Sequence, residues 1–137
     1  MSQMISPQEA LIYVMVTMSA VDRSMDDEEL QKIGQIVETL PAFRDFDSEQ
    51  LVTVSRACGE KLAHESGLDN TLDMIRDALP ERLRETAYAM AVEVAAADLH
   101  VEQEELRFLQ LLRDKLDLDK LSVAAIERSA RARFSQI

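Results

Sequence analysis

The chain has 137 residues, 47% of them hydrophobic, enough to bury a core without disulfide or metal staples and the size of one ordinary domain, residues 1–137. Three Gly and three Pro are too few for the frequent turns of an all-β fold, so helices are favoured. With 26 acidic against 15 basic side chains the formal net charge is −11, which excludes nucleic acid as the expected partner and leaves a membrane at most a peripheral one. A lone Cys58 forms no internal disulfide and fits a reducing compartment. The apolar stretch from Leu11 to Val21 is too short to span a membrane and follows Glu9 instead of a basic segment, so it reads as neither signal peptide nor membrane span. The expected location is the cytoplasm.

Ser6-Pro7-Gln8-Glu9 places a capping Ser, Pro at the first helical position and Glu three residues after the cap, which predicts a helix running to about Asp22. Its apolar residues cover most of the circumference, the mark of a central helix: Leu11, Val14, Met15, Met18 and Val21 recur at helical steps, and Ile12, Val16 and Ala20 widen the surface. Asp26 with Glu29 forms the capping box of a second helix with Leu30, Ile33, Val37 and Leu40 on its stripe, ended by Pro41. Phe43 and Phe46 pin the irregular connection that follows. A third helix is predicted from an Asp47 cap to Gly67 as its stop, with Leu51, Val54, Cys58 and Leu62 inward. Asp69 or Asn70 starts a short fourth helix carrying Leu72, Ile75 and Leu79, closed by Pro80. Glu81 to Asp98 reads as a long fifth helix rich in Ala, Glu102 to Leu116 as a sixth, and Ser122 to Phe134 as a seventh, with Val123, Ile126, Ala130 and Phe134 inward.

Two stretches repeat in register. Asp22 falls on Asp98, Met25 on Val101, Asp26 on Glu102, Glu28 on Glu104, Glu29 on Glu105 and Leu30 on Leu106, and the match continues through Val16 with Val92 and Ile33 with Leu109. Each copy is an apolar helix, an acidic turn and a second helix. The predicted fold is therefore a single compact all-α bundle of about seven helices in two pseudo-symmetric halves, about 7–40 and 82–116, joined by helices within 47–79.

Asp22 and Asp98 sit at predicted helix C-termini, where the macrodipole disfavours an anion by several tenths of a kcal/mol. Asp22 and Asp26 are at most about 14 Å apart along extended chain and much closer in a turn. Two carboxylates about 4 Å apart repel by roughly 1 kcal/mol in water and roughly 4 kcal/mol at an effective dielectric of 20, and a divalent cation removes that cost. Oxygen-rich sets of this kind suit Ca²⁺ or Mg²⁺. Capping alone accounts for Asp26 and Glu29, and the helix dipole for Asp27 and Glu28, but neither accounts for Asp22 and Asp98 or for the repetition. The phrase is not an EF-hand loop: it lacks the alternating ligands, the Gly at the sixth position and the Glu at the twelfth.

The apolar helix ending Ala20-Val21-Asp22, the aliphatic Met25, Glu28-Glu29-Leu30, and the second copy Ala96-Ala97-Asp98, Val101 and Glu104-Glu105-Leu106 resemble the tellurite-resistance TerB-like family. The resemblance runs from the first helix to the sixth and implies a helical domain with internal pseudo-symmetry and a role in tellurite or metal stress. It implies divalent-metal ligands at Asp22, Asp26 and Glu29 and at Asp98, Glu102 and Glu105. The family's Gly after the Asp is replaced here by Arg23 and Leu99. Arg23 can pair with the neighbouring acids, which makes the second copy the better ion candidate.

His100 can add an imidazole to that second copy and shift its preference toward Mn²⁺ or Zn²⁺; the plainer reading is an exposed turn histidine. His64 has no metal-like spacing and is placed on the polar side of the third helix. Cys58, on an apolar stripe, reads as an inert buried thiol, and the seven Met as core filler. Arg128, Arg131 and Arg133 are the one basic cluster, explained most simply by a helix C-terminus and otherwise suited to an acidic partner or anionic lipid. No phosphate loop, nucleophile elbow or HExxH motif is present, so no enzyme constellation emerges. Two functions stay open: a non-enzymatic module that binds a divalent cation in its turns and modulates a protein partner, and a metal-free acidic scaffold whose turns are only caps.

Overall fold

The computed structural model describes residues 4–21, 26–97 and 103–137, and among them the secondary structure is seven α-helices with three short 3₁₀ turns and no strand. The helices are α1 (Pro7–Ala20), α2 (Asp27–Thr39), α3 (Leu51–Leu62), α4 (Gly67–Ala78), α5 (Arg84–Ala97), α6 (Gln103–Leu116) and α7 (Lys120–Arg133). No helix is long and apolar enough to cross a membrane among the described residues.

Helix α1 is the axis. Every residue from Ala10 to Ser19 is buried, so it has no solvent face, and it packs against α2, α3, α4, α5 and α6. The wide apolar surface in its sequence requires this position, since a helix that is apolar all round is buried. The Ala-rich α5 lies against it and in turn carries α6 and α7; small side chains at Ala87, Ala91 and Ala95 permit that close approach. The outer helices bury one stripe each, as in α2 with Ile33 and Val37 and in α6 with Phe108, Leu109, Leu112 and Leu116.

The local signals act as their chemistry dictates. Ser6 Oγ accepts from the Glu9 N–H at 3.1 Å while the Ser6 N–H donates to Glu9 Oε1 at 2.8 Å, which closes the box at the start of α1. Phe43 is buried and meets Phe46 edge to face at 5.8 Å, and Gln8 Nε2 donates to the carbonyls of Ala42 and Arg44, so the α2–α3 connection is fixed to the foot of α1.

Several boundaries differ from the expectation. Glu81–Leu83, expected to open the fifth helix, form a 3₁₀ turn after Pro80, and α5 begins at Arg84. Asp47 caps a 3₁₀ turn over Ser48–Gln50, and α3 begins only at Leu51. Gly67 does not stop α3; it opens α4, after Ser66 adopts a left-handed φ of 60°. The reason is steric: a Cβ at Gly67 would stand 2.3 Å from the Lys61 carbonyl oxygen and 2.8 Å from that of Leu62. His64 therefore lies exposed in the α3–α4 turn and not on a helix face. A further difference is at the end of the chain, where Asp119 caps α7 through the Ser122 N–H at 2.7 Å and starts it two residues early.

Candidate functional site

Both central helices run toward the acidic turns, and neither α1 nor α5 has a basic residue in its last turn. Their C-terminal carbonyls thus present negative partial charge with no local counter-charge from the last turn. On the far side of the turns, α2 opens with Asp27, Glu28 and Glu29 and α6 with Glu104 and Glu105.

Of the residues proposed from sequence, Asp26, Glu29 and Glu105 are placed by the structure. Asp22, Asp98, His100 and Glu102 lie outside the described residues. Asp26 Oδ1 accepts from the Glu29 N–H at 2.9 Å and the Asp26 N–H donates to Glu29 Oε1 at 3.2 Å, so in the first copy these two side chains cap α2. A carboxylate has a second oxygen, and capping through Asp26 Oδ1 does not consume it. The oxygen chemistry of the set suits a hard divalent cation. Among the described residues no three His, Cys, Asp or Glu side chains converge as a metal cluster.

The two copies are not equivalent. Glu29 is half-buried, whereas Glu105 at the matching position of α6 is only 5% exposed. A carboxylate at that burial needs partners, because its charge cannot otherwise leave water, and Glu105 has an interaction within the protein. Sequence spacing aligned the two residues but carried no sign of this asymmetry, which arises from packing around α6.

Next to the turns is a half-open apolar cleft of about 320 Å³. Ala20 and Val21 at the end of α1, Leu62 and Leu68 across the α3–α4 turn, and Phe108 and Leu111 of α6 form its walls. Sequence reading missed it. Leu68 follows the Gly taken as a stop, and the walls come from segments far apart in the chain.

Other candidate groups have structural roles. Cys58 is fully buried, its Sγ 3.6 Å from Thr17 Oγ1 and 3.8 Å from the Tyr13 carbonyl oxygen. Burial pushes its thiol up to about 11, so at neutral pH it is an unreactive thiol. Met15 and Met18 are core residues. Of the basic cluster, Arg133 pairs with Glu93 of α5 at 2.7 Å, while Arg128 and Arg131 are exposed.

No curated protein and no solved structure matches the chain. The family described as tellurite resistance protein TerB matches residues 8–128, from the first turn of α1 to within α7. That span takes in both acidic turns and the helices that flank them, and so the chain belongs to the TerB family.

Proposed function

We propose that this TerB domain is a non-enzymatic module of the tellurite or metal stress response in the cytoplasm, that it takes a divalent cation at its repeated acidic turns, and that occupancy modulates a protein partner. Asp22, Asp26 and Glu29 supply one ligand set, and Asp98, Glu102 and Glu105, with His100 beside them, supply the other. The carrying observation is the shared design of the two turns: each leaves a buried helix whose C-terminus lacks a basic residue and enters a helix that opens on carboxylates. A cation in each turn offsets one helix C-terminus and several like charges at once. Arg23, which can pair with the acids of the first set, favours the second copy as the stronger site. Ca²⁺ or Mg²⁺ fits the oxygen donors, and Mn²⁺ or Zn²⁺ is favoured if His100 ligates. A bound ion sets the relative angle of the two halves, about 7–40 and 82–116, which is what a partner reads.

A metal-free acidic scaffold is the second reading, and the closed Asp26–Glu29 capping box favours it for the first copy. Calorimetric titration of chelator-stripped protein with each of the four ions separates the two. The ion-site reading requires saturable binding that Asp98→Asn reduces by at least tenfold; heat changes that do not saturate, or that Asp98→Asn leaves unchanged, support the scaffold.

A further inference from the structure

We infer that the outer face of α7 is the docking surface for an acidic amphipathic helical segment of a partner protein. Of the proposed function this takes only that a protein partner exists; no ion takes part in it.

The two faces of α7 differ. Its inner face is fastened to α5 and α6: Ala130 is buried, Val123 and Ile126 pack against the core, Glu127 pairs with Arg113 at 3.2 Å, and Arg133 pairs with Glu93 at 2.7 Å. On the opposite face Leu121, Ala125, Arg128 and Ala132 recur at steps of four, three and four residues and form one exposed row, with the exposed Arg131 beside it. Leu121 is 81% exposed, a large apolar side chain that the described residues leave uncovered. The Arg128 and Arg131 guanidinium groups make no hydrogen bond or ion pair among the described residues. Arg131 lies in the last helical turn, where the dipole gives it a use; Arg128 lies before that turn.

Charge chooses the occupant. Helix α7 carries four basic side chains and one acidic, Glu127, in a chain whose net charge is −11, and Glu127 is already engaged inward. Carboxylates set against Arg128 and Arg131 complete two charge-assisted pairs, and the planar fork of arginine takes a carboxylate through two parallel bonds. Leu121 stands about 10 Å along the axis from Arg128, at about 1.5 Å per residue, so an apolar anchor and the carboxylates fall on one face of a partner helix two turns apart. Other occupants fit less well. A second copy paired through this same face brings four arginines together. An anionic bilayer or a nucleic acid meets the net charge of −11, and Leu121 is a single large anchor, too little for insertion. The net charge also opposes an acidic segment from afar, but salt screens it beyond a Debye length of about 8 Å, while charges in contact are screened less. The inner fastenings hold the face in place before binding, so little ordering is lost on the α7 side.

The test is fluorescence anisotropy of labelled 18-residue helical peptides on the full chain at 0.15 M NaCl in EDTA. One peptide has a Leu face and a Glu face, one a Leu face and a Lys face, and one Ala in place of Leu with the Glu retained. The Leu/Glu peptide is expected to bind saturably, at least tenfold tighter than the other two. Arg128→Gln combined with Arg131→Gln, and separately Leu121→Gln, should each weaken it at least tenfold with unchanged circular dichroism, since all three side chains are exposed. Arg56→Gln, at an exposed arginine of α3, should leave it unchanged. Arg128→Glu with Arg131→Glu should reverse the preference toward the Leu/Lys peptide. Equal binding of either control peptide, affinity unchanged in the double Gln variant or in Leu121→Gln, or an equal loss with Arg56→Gln overturns the docking surface. Two further results overturn the choice of occupant: dimers in sedimentation that the double Gln variant abolishes, which make a second copy the occupant, and binding to phosphatidylserine vesicles that the same variant abolishes, which makes it a bilayer. EDTA keeps ions out of the peptide assay, and calorimetry without peptide tests the ion site, so failure of one reading is distinguished from failure of the other.

Discussion

Tyr88 Oη donates a 2.5 Å hydrogen bond to Glu127 Oε2, and Arg113 Nη1 lies 3.2 Å from both oxygens, so one polar cluster ties the central helix α5 to α6 and α7. Helix α7 has few buried residues of its own, with only Ala130 fully inside, and this cluster together with Arg133–Glu93 fixes its position. Tyr88→Phe removes the hydroxyl and leaves Glu127 with Arg113 alone. A hydrogen bond to a charged group is worth about 1.5–3 kcal/mol, and urea unfolding at pH 7 should show a loss in that range. No loss would mean that the Tyr88 hydroxyl adds nothing to the hold on α7, which Arg113–Glu127 and Arg133–Glu93 then supply with its apolar contacts.

Alkaline pH should destabilise the fold in two overlapping steps. Burial, with the Glu127 carboxylate adding to it, pushes the Tyr88 phenol up to about 12, and burial pushes the Cys58 thiol up to about 11, against 10.0 and 9.0 for the free groups. Both folded values lie above the unfolded ones, so the folded state holds these protons more tightly. Stability is full below about pH 9 and falls as pH rises through 9 to 11 for Cys58 and 10 to 12 for Tyr88. Cys58→Ala should flatten the first part of the decline in urea midpoints, and absorbance at 295 nm should place tyrosinate formation in the second.

Two glycines should respond in opposite senses to alanine. Gly59 lies within α3 with no atom within 4 Å of an added Cβ, so Gly59→Ala should stabilise by about 0.5–1 kcal/mol. Gly67→Ala drives a Cβ to 2.3 Å from a backbone oxygen of α3, and backbone cannot rotate away as a side chain can. The α3–α4 turn must shift, at a cost of about 1–3 kcal/mol or more. Thermal unfolding of the two variants gives the comparison, and equal effects would contradict the tight turn.

The Lys115 Nζ–Asp73 Oδ1 pair at 2.6 Å joins α6 to α4 with both partners partly in solvent. The Lys115 hydrogen bond holds the Asp73 carboxyl below its ordinary 3.8. A lowered folded value means the contribution is present above about pH 4 and is lost as pH falls through the folded value. Solvent screening keeps it small, and Lys115→Met should cost less than about 1 kcal/mol at pH 7, with a shallower acid limb in a pH series of urea midpoints.

Helix identity and the central role of α1 were legible because they depend on periodicity and short-range chemistry. Ser6 with Glu9 and Asp26 with Glu29 are partners three residues apart, and nothing distant alters them. Gly67 was misread because its requirement comes from the carbonyls of Lys61 and Leu62 in the preceding helix, a contact that composition does not encode. In the candidate site, the repeat located the acidic turns, while the burial of Glu105 and the Leu62–Leu68–Phe108–Leu111 cleft depend on how α4 and α6 approach α1. Asp22, Asp98, His100 and Glu102 were named from spacing and lie outside the described residues.

The most direct measurement of the ion-site proposal is an amide NMR titration of chelator-stripped protein with Ca²⁺, then Mg²⁺, Mn²⁺ and Zn²⁺, repeated on Asp98→Asn. The proposal predicts saturable shifts concentrated between residues 98 and 105, with smaller ones over residues 22–29, and their loss at the second turn in the variant. Weak, unsaturable shifts spread over every acidic residue and equal in Asp98→Asn would be counterion screening, and would contradict it.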